Sequence, residues 1–316
     1  MVVIAAFALA LVATPAASAG ARRAGLLDHP GALKVQSRPV PYLGGLAVLA
    51  AACLGLAMGR PAWLVPLVLA LVLGTLDDAR PLAPRVRLAG QVVVGLVAGA
   101  LVPTGAAQPW AALATTLVVV VLINAVNLID GLDALAAGVA LVSAVGFAIA
   151  LDGDDRTVAL ALAGALAGFL VYNRPPARIY LGDGGSYLLG TALAVLLVSA
   201  WRPGREHALS LGAVLFVAIP VAEVAFAVVR RARARAPLFA GDRSHLYDQM
   251  VQRGLSTGAT SLMCAGLQAA FVAMGVLASR TEPAASLVIV IVTALAFLAA
   301  ATAGGFLSST SPRRAG

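Results

Sequence analysis

The sequence predicts an all-α fold: a polytopic membrane helix bundle of about ten or eleven transmembrane helices, forming a single domain over residues 1–316. Three observations predict it. Of 316 residues, 61% are hydrophobic. Only 11% are charged, against about 25% in an ordinary soluble domain. The apolar residues form long runs from end to end, so lipid is the expected solvent. A water-soluble globular enzyme and a disordered chain are both excluded. Cys53 and Cys264 lie inside apolar runs and read as small packed hydrophobes, with no disulfide framework or zinc spacing.

Eleven apolar segments can be drawn, at roughly 1–19, 41–58, 61–76, 88–102, 110–128, 134–151, 157–171, 186–200, 209–229, 259–278 and 284–306. Gly, Pro or charge marks the breaks, as at Gly59-Arg60-Pro61 and Trp201-Arg202-Pro203-Gly204. The first segment ends in small residues, as a secretory signal would. It has no basic residue before the apolar run, and Arg22 and Arg23 follow it. That is the reverse of a signal's charge order, so it reads as a first span with its N-terminus outside.

With that orientation, 17 of the 22 basic residues fall on one face and 5 on the other. Such an excess marks the first face as cytoplasmic. The net charge of +8 is therefore mostly membrane orientation, and no nucleic-acid partner is expected. The cytoplasmic loops are about 20–40, 77–87, 172–186 and 230–258.

Aspartates near a membrane are costly and need a reason. Five clusters gather on the cytoplasmic face. The adjacent carboxylates Asp77 and Asp78 repel each other at the inner end of the third span, which a divalent cation or a metal-bound phosphate would relieve. Asn124, Asn127, Asp130 and Asp133 recur every third position in an apolar stretch, with Gly131 beside Asp130. On a helix, that stripe drifts slowly round, and its amides and carboxylates can line one cavity. In Tyr180-Leu181-Gly182-Asp183-Gly184-Gly185-Ser186, three glycines flank one carboxylate where a helix starts. That suits backbone amides facing phosphate while Asp183 holds a metal. The long loop from Arg230 holds a basic run, read as a membrane-surface anchor, then Arg243 and His245, which could contact a diphosphate. Lys34 and Arg38 precede Gly44-Gly45 and could bind phosphate. The remaining acids draw weaker readings. Asp152, Asp154 and Asp155 mimic a calcium loop without its full ligand set, and Glu223 either pairs with an arginine or lines the cavity.

These clusters, in this order, resemble the polyprenyl-phosphate N-acetylhexosamine-1-phosphate transferase family, glycosyltransferase family 4, which includes the phospho-N-acetylmuramoyl-pentapeptide transferases. The likeness runs from about residue 25 to residue 255. It implies a transfer of N-acetylhexosamine-1-phosphate from a UDP-N-acetylhexosamine to polyprenyl phosphate, undecaprenyl or decaprenyl, with release of UMP. It implies Asp183 as the Mg²⁺ ligand, Mn²⁺ being an alternative ion. Asp77, Asp78, Asp130 and Asp133 would be catalytic, with Asp77 or Asp78 acting on the lipid phosphate as base or orienting group, or a carboxylate acting covalently. Substrate would be held by Lys34, Asn124, Asn127, Tyr180, Gly184, Ser186, Arg243 and His245. The implied setting is a multi-pass bacterial plasma-membrane enzyme in a lipid bilayer, with a homodimer left open.

The sequence departs from the family pattern in three places. Ala134 stands where Gly usually completes D-G-x-D-G, and Gln36 where His is common. Only His245 remains of a motif that usually holds two or three histidines, which favours the N-acetylhexosamine branch over the muropeptide branch. The rival readings are a secondary transporter, which predicts midplane acids and repeat symmetry, and an inactive relative acting as a scaffold.

Overall fold

A computed structural model describes residues 1–30, 38–102, 109–202, 204–235 and 244–307. The chain is an all-α bundle. Its helices are α1 (Val2–Arg23), α2 (Gly44–Gly59), α3 (Leu64–Ala79), α4 (Pro84–Leu101), α5 (Pro109–Ile129), α6 (Leu135–Ala150) and α7 (Gly153–Asn173). They continue as α8 (Gly182–Ala200), α9 (His207–Gly212), α10 (Ala218–Ala234), α11 (Leu246–Gln252), α12 (Thr257–Ala278) and α13 (Pro283–Ala303). Two short strands, β1 (Leu27–Asp28) and β2 (Val40–Pro41), pair antiparallel at one end.

Among the described residues, nine helical segments are long and apolar enough to cross a membrane, and α2 and α6 are shorter apolar helices. The outer faces are apolar too. Val65, Val68, Leu69, Val72 and Leu76 are exposed along α3, and Leu287, Ile291, Leu295 and Leu298 along α13. Faces of that kind are stable against lipid, not water. The protein is a polytopic membrane bundle.

Helix α8 forms the axis, with every residue from Gly184 to Ala200 buried. Around it pack α3, α5 and α2, with α6 beside them. Helices α1 and α7 pack together beyond α2, and α12 covers α6.

Two prolines interrupt spans, and in both cases a side chain on a neighbouring helix repairs the break. Proline has no N–H to offer the carbonyl four residues back. In α1, Pro15 deprives Leu11 O, and the Tyr172 hydroxyl on α7 donates to it at 2.9 Å. In the span His207–Ala234, Pro220 deprives Phe216 O. Gln268 of α12 donates from Nε2 to Phe216 O at 2.9 Å and to Leu215 O at 3.2 Å, and its Oε1 accepts from Ile219 N at 3.0 Å. A 3-10 segment, Ala213–Val217, bridges α9 and α10 at this point. Without water in the hydrocarbon, such groups must find protein partners.

At the end of the bundle away from the hairpin, the three aspartates that mimic a calcium loop are paired with arginine. Asp155 is fully buried and accepts from Arg60 at 2.8 Å, Arg202 at 3.0 Å and Arg205 at 3.3 Å. Asp152 and Asp154 pair with Arg205 and Arg60. The cluster ties α7 to the connections before α3 and after α8.

Candidate active site

The opposite end holds a cavity of about 980 Å³. Asp78, Asp130, Asp133, Tyr180 and Asp183 line it. These come from three distant stretches of chain: the end of α3, the turn between α5 and α6, and the start of α8.

The loop 174–181 is strung between other elements. The backbone of Tyr180 bonds to Pro41 O and Gly44 N, both at 2.9 Å, which fixes the loop against β2 and the start of α2. Asn173 spans the neighbouring gap, donating to Ile179 O at 2.9 Å and accepting from Ala134 N at 3.0 Å.

Asp183 lies in the first turn of α8, where the backbone N–H groups have no partner within the helix itself. Asp78 caps that turn from α3. Its Oδ1 accepts from Asp183 N at 3.0 Å and its Oδ2 from Gly184 N at 3.1 Å. Gly182 makes this approach feasible. It has φ +73°, and a Cβ there would meet Asp78 Oδ2 at 2.6 Å. Asn127 donates to Asp183 Oδ1 at 2.7 Å and to Ser186 Oγ at 3.1 Å, and Ser186 donates to Asp183 O. Asn127 and Ser186 thus fix the rotamer of Asp183 from below.

Asp77 lies beneath the cavity, 3% exposed, and does not line it. Its carboxylate takes a hydrogen bond from Tyr187 at 2.8 Å and from Leu82 N at 2.9 Å, and pairs with Arg87 at 2.7 Å. Its charge acts on both Asp78 and Asp183. Asp130 faces the charges of Asp183 and Asp78, and among the described residues none donates to its carboxylate. Burial, then those two charges, hold the Asp130 carboxyl well above the usual carboxylate range. Burial also raises Asp133, offset by a hydrogen bond from Ala177 N at 2.8 Å to its Oδ2. The Tyr180 phenol is pushed up to about 12 by burial and then by the charges of Asp133, Asp28 and Asp130.

Two further candidates stand elsewhere. Asn124 donates to Gln91 on α4 at 2.7 Å and to Val120 O, so it ties α5 to α4. His245 is buried outside the cavity lining, with Nδ1 2.8 Å from Glu223 Oε1. Glu223 also accepts from Arg230 at 3.2 Å and Leu246 N at 2.9 Å, so this glutamate pairs and does not line the cavity. His245 stacks on Tyr247 at 5.5 Å, and the Tyr247 hydroxyl abuts Gly131 beside Asp130. A Cβ at residue 131 would collide with that ring. His245 thus reaches the cavity only through its neighbour. Lys34 and Arg243 lie outside the described residues.

Arg38 lines the cavity as well, with Asp28, His29, Tyr42 and Thr257. The first four fall in the sequence cluster that runs from Leu27 to Gly45, in which Lys34 and Arg38 are the expected phosphate contacts. Thr257 opens α12, and nothing near it in the sequence marks it.

Among the described residues, no three acidic, histidine or cysteine side chains form a ready-made metal cage. The donor set still fits Mg²⁺. That ion is usually held by one or two carboxylates, with water and substrate phosphates completing its shell. Asp183, Asp78 and Asp130 repel one another around one space, and a divalent cation held there would relieve the repulsion.

The family model described as glycosyl transferase family 4 matches residues 61–201. The chain is 31% identical over 273 residues to a probable undecaprenyl-phosphate N-acetylglucosaminyl 1-phosphate transferase of Bacillus subtilis, covering 78% of this chain and 75% of the relative. It is 31% identical over 290 residues to the decaprenyl-phosphate N-acetylglucosaminephosphotransferase of Mycobacterium tuberculosis, covering 75% and 71%. A phospho-N-acetylmuramoyl-pentapeptide-transferase of Moorella thermoacetica is 38% identical over 197 residues, covering 50% and 60%. With its carboxylates gathered at one end of an apolar bundle, the chain belongs to the membrane glycosyl transferase family 4, that of the polyprenyl-phosphate N-acetylhexosamine-1-phosphate transferases.

Proposed function

We propose that the protein transfers N-acetylhexosamine-1-phosphate from a UDP-sugar to polyprenyl phosphate. A phosphate oxygen of the acceptor attacks the sugar-side phosphorus of the donor. The bond from that phosphorus to the bridging oxygen breaks, UMP leaves, and the product is a polyprenyl-diphospho-sugar. One observation carries the reading: Asp78, Asp130, Asp133 and Asp183 converge on a single cavity at the end of a membrane bundle. There a lipid acceptor and a water-soluble donor can meet.

Asp183, with Asp78 or Asp130 beside it, would hold Mg²⁺, or Mn²⁺ in its place. When bound, the ion supplies neutralisation of the donor diphosphate and of the charge developing on UMP. Asn127 and Ser186 keep Asp183 aimed. Asp130, to whose carboxylate none of the described residues donates, would orient the acceptor phosphate or take its proton. The saturated partners of Asp77 make it a support for Asp183, not the base. Tyr180 at the cavity wall offers a ring to the uracil base.

The cavity faces the cytoplasm in this reading, with α1 starting outside, because most basic residues lie at that end. The membrane is the bacterial plasma membrane. The muropeptide donor is disfavoured because a single histidine, His245, stands in the histidine-motif segment. The test is incubation of purified protein with polyprenyl phosphate, Mg²⁺ and a panel of UDP-sugars, including UDP-N-acetylmuramoyl-pentapeptide, with UMP as the readout. Release with a UDP-N-acetylhexosamine alone is expected. Full activity in Asp183→Asn would overturn the reading, as would UMP release only with the muropeptide.

A further inference from the structure

Beside the carboxylate cavity lies a second one, of about 890 Å³. Thr14, Pro15, Ser18 and Ala19 of α1 form one wall, and Tyr172 and Ile179 line it with them. This is the stretch of α1 that Pro15 breaks and Tyr172 repairs. The groove is largely apolar, but Arg22, Arg38 and Arg178 also line it. All three are exposed, and among the described residues none is paired with a carboxylate.

Three arginines with no carboxylate partner among the described residues, at the end of an apolar span and beside an apolar groove, match one ligand chemistry: a phosphate head on a hydrocarbon chain. The placement of the arginines separates two sources of it. Only Arg38 lines both cavities, while Arg22 and Arg178 line the groove alone. A phosphate held by Arg22 and Arg178 stands outside the carboxylate cavity, where a reacting acceptor must be. We propose that this groove holds one anionic phospholipid, its phosphodiester against Arg22 and Arg178 and an acyl chain along α1. The site rests on the membrane fold and does not need the transferase reading.

The lipid would brace the neighbouring cavity. Leu27, Val40 and Ala177 line both spaces. Leu27 and Val40 belong to the hairpin, and Ala177 N donates to Asp133. A head group seated between α1 and loop 174–181 therefore presses on backbone that forms the cavity wall.

The full chain, purified and stripped of lipid in detergent, would be titrated with phosphatidylglycerol or phosphatidylcholine and read by native mass spectrometry. One phosphatidylglycerol is expected, bound about tenfold or more tightly than phosphatidylcholine. Each arginine near anionic lipid is worth roughly fivefold, so Arg22→Gln with Arg178→Gln should weaken it about thirtyfold. Arg22→Lys with Arg178→Lys should keep most of the binding, and Arg280→Gln, at the other end of the bundle, all of it. Size-exclusion profiles and circular dichroism establish that the variants fold. Should the glutamine pair not fold, the lysine pair and the ratio of the two lipids on the native chain still decide. Equal binding of both lipids, or undiminished phosphatidylglycerol binding in the glutamine pair, overturns the site. One-for-one displacement by polyprenyl phosphate would make the acceptor the occupant and overturn the phospholipid assignment.

Discussion

Asp77 and Asp78 are neighbours in sequence with different work, and helix geometry says why. One residue turns a helix by about 100°. Asp77 therefore points to Tyr187 and Arg87 while Asp78 points to the first turn of α8. Removing the Tyr187 hydroxyl takes a hydrogen bond from a buried carboxylate, at a cost of about 1.5–3 kcal/mol. Tyr187→Phe should lower the denaturation midpoint in detergent and reduce kcat more than it raises KM for the UDP-sugar. An unchanged midpoint would show that Arg87 and Leu82 N suffice to hold Asp77. The motif spacing made these carboxylates visible in the sequence, but not their partners. Asn124 shows the limit. Three residues leave a helix about 60° short of a full turn, so Asn124 and Asn127 face different neighbours and stand at different heights along α5. Asn127 thus reaches Asp183, while Asn124 meets Gln91. His245 was visible as a motif remnant, but its partner Glu223 lies 22 positions away and could not be assigned from spacing.

At the scale of elements, the turn joining α5 to α6 carries its own strain. Ala134 departs from the family pattern of glycine and has φ +62°. A left-handed backbone costs an L-residue about 1 kcal/mol or more, and strain of this kind collects at functional turns. Ala134→Gly should stabilise the protein by up to about 1 kcal/mol, since relief of strain outweighs the added unfolded-chain freedom. The measure is the midpoint of thermal unfolding, and a fall would mean that the methyl packs usefully. The spans themselves were legible, because eleven apolar runs became eleven apolar helical segments. The repairs at Pro15 and Pro220 were not, since they join α1 to α7 and α10 to α12 across long stretches of chain. Gln268→Leu leaves Phe216 O and Ile219 N without this partner in a dry setting, while Leu215 O keeps Ala218 N. A loss of several kcal/mol is expected at about 1–3 kcal/mol per orphaned group, seen as poor yield or a midpoint drop. Wild-type stability in that variant would show that the broken helix re-forms its own bonds.

For the whole molecule, the two ends of the bundle are opposite electrostatic designs. At one end Asp155 is buried under three arginines, and its charge is cancelled within the fold. At the other, carboxylates face one another across a cavity. That second arrangement opposes folding while the carboxylates are charged and no cation is bound, and pH tests it. The Asp130 and Asp133 carboxyls titrate above their ordinary range when folded. Between that range, about pH 4, and the raised values, the folded chain binds more protons than the unfolded one. Stability then falls as pH rises, because the slope follows protons bound unfolded minus folded. Metal-free protein should therefore unfold at a higher temperature at pH 5 than at pH 8. Mg²⁺ should raise the midpoint at pH 8 by supplying the charge that protons supply at pH 5. Asp130→Asn should flatten the pH dependence and weaken the response to Mg²⁺, whereas Arg280→Gln should change neither. A midpoint that climbs from pH 5 to pH 8 without metal would show that the carboxylates are already neutralised by other groups, and the case for a cation among them would fail with it.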